Sequence, residues 1–274
     1  MRWILIAVAG TVLVVVGVLR LFDGGIGATG YCVAQVGDTT VEVDPEQAKW
    51  AALMAAQGYD RGLPARATTI AIATAYQESK IHNIEYGDRD SLGLFQQRPS
   101  QGWGTAEEIM DPVHAIGRFY DGLVKVDGYE TMPITEAAQA VQRSAFPTAY
   151  ADHEADARAL ASALRGYSPA AFSCVVDPDE STPDADALED WLDTAWGGVR
   201  VDAVEDDPTR VIALTGEDVE IRGWALAQFL VANAAEFGVT SVAFDDMRWD
   251  AERTEPGWEP TEDADRTSVR YTVG

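Results

Sequence analysis

The chain has 274 residues, 47% of them hydrophobic, enough to bury one ordinary core and a second, smaller one. Lys and Arg number 20 against 45 Asp and Glu, a formal charge of −25. So acidic a surface repels a phosphate backbone, and nucleic acid is not an expected partner.

The first element is an unbroken apolar run over residues 3–19, preceded by Arg2 and followed by Arg20, Leu21 and Phe22. Its length predicts a transmembrane helix over residues 1–23, with Arg20 snorkelling to the interface. A cleaved secretory signal is the alternative, with Gly27-Ala28-Thr29 as its candidate cleavage site. With the anchor in place, the rest of the chain is expected outside the cell membrane in a single-pass topology. Residues 24–43, polar and glycine-containing with some strand character, read as a stalk. The two cysteines, Cys32 and Cys174, bracket a predominantly helical stretch. A disulfide between them would tie the ends of a domain together and stabilise it by about 2 to 5 kcal/mol; two free thiols are the other reading.

Helices come next. Asp44-Pro45-Glu46-Gln47 supplies an N-cap aspartate, a proline at the first helical position and a capping-box glutamine, and Gly58 closes the segment. A second helix starts at Pro64 and runs to about Lys80, with Glu78 on the stripe of Ala71, Thr74 and Ala75. Small side chains let a neighbouring helix approach and leave the carboxyl at the edge of a packed interface, the setting of a partly desolvated acid. Over residues 81–99 the helical period fails, while Gly87, Asp88, Asp90, Ser91 and Gly93 supply turn chemistry for a compact loop or small hairpin.

Glu78-Ser79, Gly87-Asp88-Arg89 and Gly93-Leu94-Phe95-Gln96 occur in an order that resembles the lysozyme-like superfamily, particularly goose-type lysozymes and soluble lytic transglycosylases. Those families carry Gly-Leu-Met-Gln, and Phe95 stands here in place of methionine. Ala140-Val141-Gln142 occupies the place of the transglycosylase Ala-Tyr-Asn segment, and Tyr150 that of a tyrosine facing the cleft. The resemblance covers roughly residues 45–165. It implies Glu78 as the acid that protonates a glycosidic oxygen and Asp88 as the matching second carboxylate. Asp90 is the near alternative, and Asp88 capping its own loop is another. Ser79, Leu94, Phe95, Gln97, Gln142 and Tyr150 join the substrate-binding set. Gly93 brings backbone near a sugar, Gln96 orients substrate or acid, and Trp103 between Gly102 and Gly104 offers a face for a pyranose. A further aspartate usual in goose-type enzymes is absent around Gln97 and Arg98, which favours a transglycosylase that uses one glutamate as acid and then base.

Asp111-Pro112 opens another helix, one more spans about 135–143, and a last one follows Tyr150 to about Gly166. Phe119, Tyr120 and Phe146 read as core. His82, His114 and His153 are scattered without ligand spacing, so neither metal nor cofactor is expected.

Residues 175–197 read as an acidic linker and 198–274 as a small α+β domain, with strands at 199–204, 239–244 and 268–273 and a helix over 221–237. Val231-Ala232-Asn233-Ala234, Arg248-Trp249 and Gly257-Trp258 resemble a C-terminal domain of actinobacterial secreted proteins. The final strand of those relatives often carries zinc-peptidase histidines. No histidine follows His153 here, so wall or partner binding is implied instead. The expected fold is a mainly α lysozyme-like domain over 44–174, followed by the small α+β domain, behind an N-terminal transmembrane helix. The expected function is cleavage of the β-1,4 glycan of peptidoglycan at the outer face of the membrane. The alternative is a non-catalytic peptidoglycan binder or wall-assembly protein that keeps the cleft.

Overall fold

The computed structural model describes residues 30–144, 148–177 and 181–274. The transmembrane helix expected over residues 1–23 lies outside them, as does Phe146. Among the described residues no helix is long and apolar enough to cross a membrane.

The architecture corrects the expectation of a mainly α first domain, because sheets occur in both halves of the chain. Strands β1 (Gly30–Val36) and β2 (Thr39–Val43) form a hairpin in the stretch read as a stalk, and β3 (Phe172–Val176) pairs antiparallel with β1 to give the order β2-β1-β3. Cys32, Ala34, Val41 and Val43 alternate inward, which is the period of a half-buried strand and not of a solvated stalk. Cys32 lies directly opposite Cys174 in the ladder, and the two form a disulfide that closes a separation of 142 residues.

Helices α1 (Pro45–Asp60), α2 (Ala65–Ser79), α3 (Ala106–Met110), α4 (Pro112–Leu123), α5 (Ile134–Gln142) and α6 (Glu154–Leu164) fill the interval between β2 and β3. Both halves of the capping box at Asp44 form: its side chain accepts from the Gln47 N–H, and the Gln47 side chain accepts in return. Helix α2 is alanine-rich and buried along nearly its whole length, so α6 packs closely on it.

Helix α7 (Ala185–Trp196) occupies much of the stretch read as a linker. Asp184 caps it, and Leu188, Leu192, Ala195 and Trp196 bury one face at helical spacing, an apolar stripe hidden in the sequence by the acids between them. A six-stranded antiparallel sheet comes after it in the order β4-β5-β9-β6-β7-β8, built from β4 (Asp202–Ala203), β5 (Thr209–Ala213), β6 (Val239–Phe244), β7 (Met247–Asp250), β8 (Glu259–Pro260) and β9 (Ser268–Val273). Helix α8 (Val219–Ala232) and the short α9 (Ala234–Phe237) accompany it.

Helix α8 joins the two halves. Residues 223–232 are buried all round, because the helix packs on β6 and β9 and also on α1, α6 and β3. The free edge of β3 receives side chains from the C-terminal half: Gln228 Oε1 accepts from the Phe172 N–H at 2.7 Å, Trp258 Nε1 donates to Phe172 O at 2.8 Å, and Trp249 Nε1 donates to Cys174 O at 2.9 Å. A strand edge left open would be a template for unwanted pairing, and indoles and an amide close it here.

Candidate functional site

Glu78 sits in the last turn of α2. Its helix ends in a double bond pattern, Lys80 N–H to Tyr76 O and Ile81 N–H to Ala75 O, with Lys80 and Ile81 both in the left-handed region. For a buried β-branched residue such as Ile81 that conformation is strained, and it turns the chain sharply from the helix into the loop over residues 81–98. The Ser79 hydroxyl reaches Leu94 O at 2.8 Å and so ties the helix end to the far side of that loop.

The Glu78 carboxyl is held from one side. Tyr150 Oη donates to Glu78 Oε1 at 2.7 Å, and Gln142 Nε2 donates to the same oxygen at 3.2 Å and to Phe95 O at 2.7 Å. Among the described residues no group donates to Oε2. Tyr150 is fully buried; burial and then the Glu78 charge push its phenol well above the ordinary tyrosine value, so it stays a donor. The arrangement fills the acceptor capacity of one carboxyl oxygen and leaves the other to face outward.

Glu78 lines a depression of about 450 Å³ with Asp88, Arg89, Gln96, Trp103 and Gln142, within the ~300–1,000 Å³ of ordinary ligand pockets. A second depression, of about 690 Å³, shares Gln101, Trp103, Gln142 and Arg143 with the first. A third, of about 580 Å³, shares Glu78 and extends past His82 and Tyr86. The half-buried carboxyl therefore stands where adjoining depressions meet, as a chain-like ligand requires.

Other residues of the expected set are largely or fully buried. Leu94 and Phe95 are fully buried and do not face the groove, and Phe95 stacks on Phe119 at 4.5 Å. Their backbone carbonyls, not their side chains, serve the site, by accepting from Ser79 and Gln142. Ser79, itself largely buried, borders the third depression. Gly93 meets protein and not the groove: an added Cβ would lie 2.8 Å from Ile109 O, and its φ of 74° suits glycine. Gln97 borders the depression that holds Glu78 but is only 2% exposed; it exchanges backbone bonds with Leu92 and sends Nε2 to Ala115 O, so it fixes the loop to α4. The alternation that would announce an inward side chain is too short to read in a loop of this length.

Gln96 lines the groove at a left-handed φ of 48°, its amide donating to Tyr86 O and Gly93 O. Gly87 lies beneath it, where a Cβ would fall 2.8 Å from the Ser91 carbonyl as well as onto the Gln96 amide. Asp88 reaches the groove on a side chain that is 92% exposed, 3.8 Å from Arg89. Asp90 is a loop staple: the Ser100 N–H at 2.9 Å and Arg98 at 2.7 Å hold its carboxyl well below the usual range. His82 bonds to Glu46 and Asp44 at the start of α1. Arg143, Arg118 and Lys125 line the second depression together, and their spread along the chain hides this grouping from a reading of sequence alone.

Residues 198–270 are similar to the family described as VldE, C-terminal domain. That stretch runs from before β4 into β9 and leaves out Glu78 and every residue of the groove. A search of curated proteins finds no match.

Proposed function

We propose that the chain cleaves the β-1,4 glycan strand of peptidoglycan, with Glu78 as the proton donor and Tyr150 and Gln142 as positioning residues. The observation that carries this reading is the two-sided Glu78 carboxyl, with Oε1 saturated by Tyr150 and Gln142 and Oε2 open at the junction of the depressions. A carboxylic acid so held presents its O–H from Oε2. Protonation of the glycosidic oxygen by that hydroxyl lets the bond to the anomeric carbon break. The motif resemblance to goose-type lysozymes and lytic transglycosylases supports the same assignment.

Of the two chemistries, the transglycosylase one is favoured. A hydrolase that activates water needs a second carboxylate fixed across the sugar ring, and Asp88 extends into solvent on a loop tip. In the favoured route Glu78, having given up its proton, takes one back from the 6-hydroxyl of the N-acetylmuramic acid residue. The 6-oxygen closes on the anomeric carbon, and no water is consumed. Trp103 offers its ring to a neighbouring sugar. The disulfide supports an oxidising compartment outside the cytoplasm, where peptidoglycan lies.

Mass spectrometry of products from purified sacculi tests the reaction type. Anhydro-muramic ends are expected; reducing ends alone would make the enzyme a hydrolase. Binding to sacculi with no products at all would make it a wall-binding protein.

A further inference from the structure

The depression beyond Trp103 has a charge opposite to that of the molecule. The chain carries −25, yet Arg118, Lys125 and Arg143 converge on one concavity whose floor includes Gly122, Val126, Ala140 and Val141. The single carboxylate on the lining is Asp121, and Arg61 Nη1 already occupies it at 2.8 Å from outside. Among the described residues, none of the three cations has a carboxylate within 4 Å; the contact of Arg118 is Gly102 O at 3.4 Å. Some arginines elsewhere are matched with acids, as Arg98 with Asp90, Arg158 with Glu154 and Arg210 with Glu189, while others, such as Arg66 and Arg165, bond to backbone carbonyls. Three like charges that share a wall repel one another, and an acidic chain has carboxylates in abundance to relieve that repulsion. What distinguishes these three is that they gather on one wall with a single carboxylate, already engaged by Arg61, which makes the depression locally positive on a molecule of charge −25.

Position adds to charge. The depression shares Trp103, Gln142 and Arg143 with the one that holds Glu78, so a ligand lying along the groove passes from the carboxyl to the cations without leaving the wall.

We propose that this depression is an anion subsite, which binds a carboxylate or phosphate carried on a substituent of the glycan strand and gives substituted strands preference over bare ones. The identity of the ligand rests on the glycan cleavage proposed for Glu78; the charge preference does not depend on turnover. Carboxylates enter on peptide branches, phosphates on polymers joined to the strand, and both offer oxygens to a guanidinium fork.

Binding of the full-length chain is measured by titration calorimetry with three probes: a disaccharide-peptide with free carboxylates, the same compound with its carboxylates amidated, and a disaccharide 6-phosphate. The free-carboxylate form is expected to bind about tenfold tighter than the amidated form, with a preference that weakens as salt rises. Arg118→Gln with Arg143→Gln should abolish the difference, Arg143→Lys should restore part of it, and Lys125→Gln provides a second variant should the double one fold poorly. A gain with the phosphate probe alone assigns the subsite to phosphate. Equal binding of all three probes, or a preference that survives in the variants, would overturn the proposal. A chain that cleaves sacculi without charge preference loses the subsite alone. One that keeps the charge preference and releases nothing loses the cleavage reading alone.

Discussion

Tyr150 Oη lies 2.7 Å from Glu78 Oε1, a contact between the start of a 3-10 turn and the end of α2 across 72 residues of chain. Together with the longer bond from Gln142 it holds Oε1 and leaves Oε2 to the groove. Tyr150→Phe removes that hydroxyl and keeps the buried ring. Hydrogen bonds to charged groups are worth about 1.5–3 kcal/mol, so kcat is expected to fall by about 10- to 100-fold with KM little changed. Steady-state kinetics on soluble glycan fragments checks this, and thermal unfolding should show the variant folded.

Gln228 binds the two halves of the molecule by its amide: Oε1 accepts from the Phe172 N–H, and Nε2 donates to Ala163 O at 2.7 Å. Gln228→Ala leaves these buried backbone groups unpaired and a cavity beside them, at a cost of about 2–4 kcal/mol. Denaturant unfolding is expected to show one cooperative transition at a lower midpoint. A second transition, with the C-terminal half melting alone, would show the halves to be independent.

Much of this fold is legible in the sequence. The capping box at Asp44, the strands at 239–244 and 268–273 and the order of the helices arise from local chemistry that the tertiary structure leaves in place. The illegible parts are set by partners distant in sequence. The hairpin of β1 and β2 reads as a stalk because its third strand comes 142 residues later, through Cys174. Helix α7 reads as linker because Asp186, Glu189, Asp190 and Asp193 mask the apolar residues that it buries. At the site, Glu78 stands out because a motif surrounds it. The inward turn of Leu94, Phe95 and Gln97 does not, since it depends on Phe119 and Ala115 of α4.

Asp90 carries a pH dependence. The Ser100 N–H and Arg98 lower its folded pKa, so the folded state binds a proton less readily than the unfolded chain. Its contribution to stability is therefore complete above the ordinary aspartate value of about 4 and drains away as pH falls through the depressed value. Asp90→Asn should lower stability at neutral pH and flatten the loss between about pH 4 and pH 2, as measured by thermal unfolding across that range. An unchanged slope would place the acid sensitivity elsewhere, with Glu46 as the next group. Burial raises the Glu46 carboxyl, and bonds from Trp50, His82 and Asn83 bring it below its usual value in spite of that.

One carboxyl, on this account, delivers the proton that breaks the glycan. Glu78→Gln keeps the shape and an acceptor oxygen for Tyr150, and removes only the acid. Release of soluble muropeptides from purified sacculi by this variant is therefore expected to fall to background, by at least about a thousandfold if the acid is the sole donor, with binding to sacculi retained. Release at the rate of the unmodified chain would contradict the account.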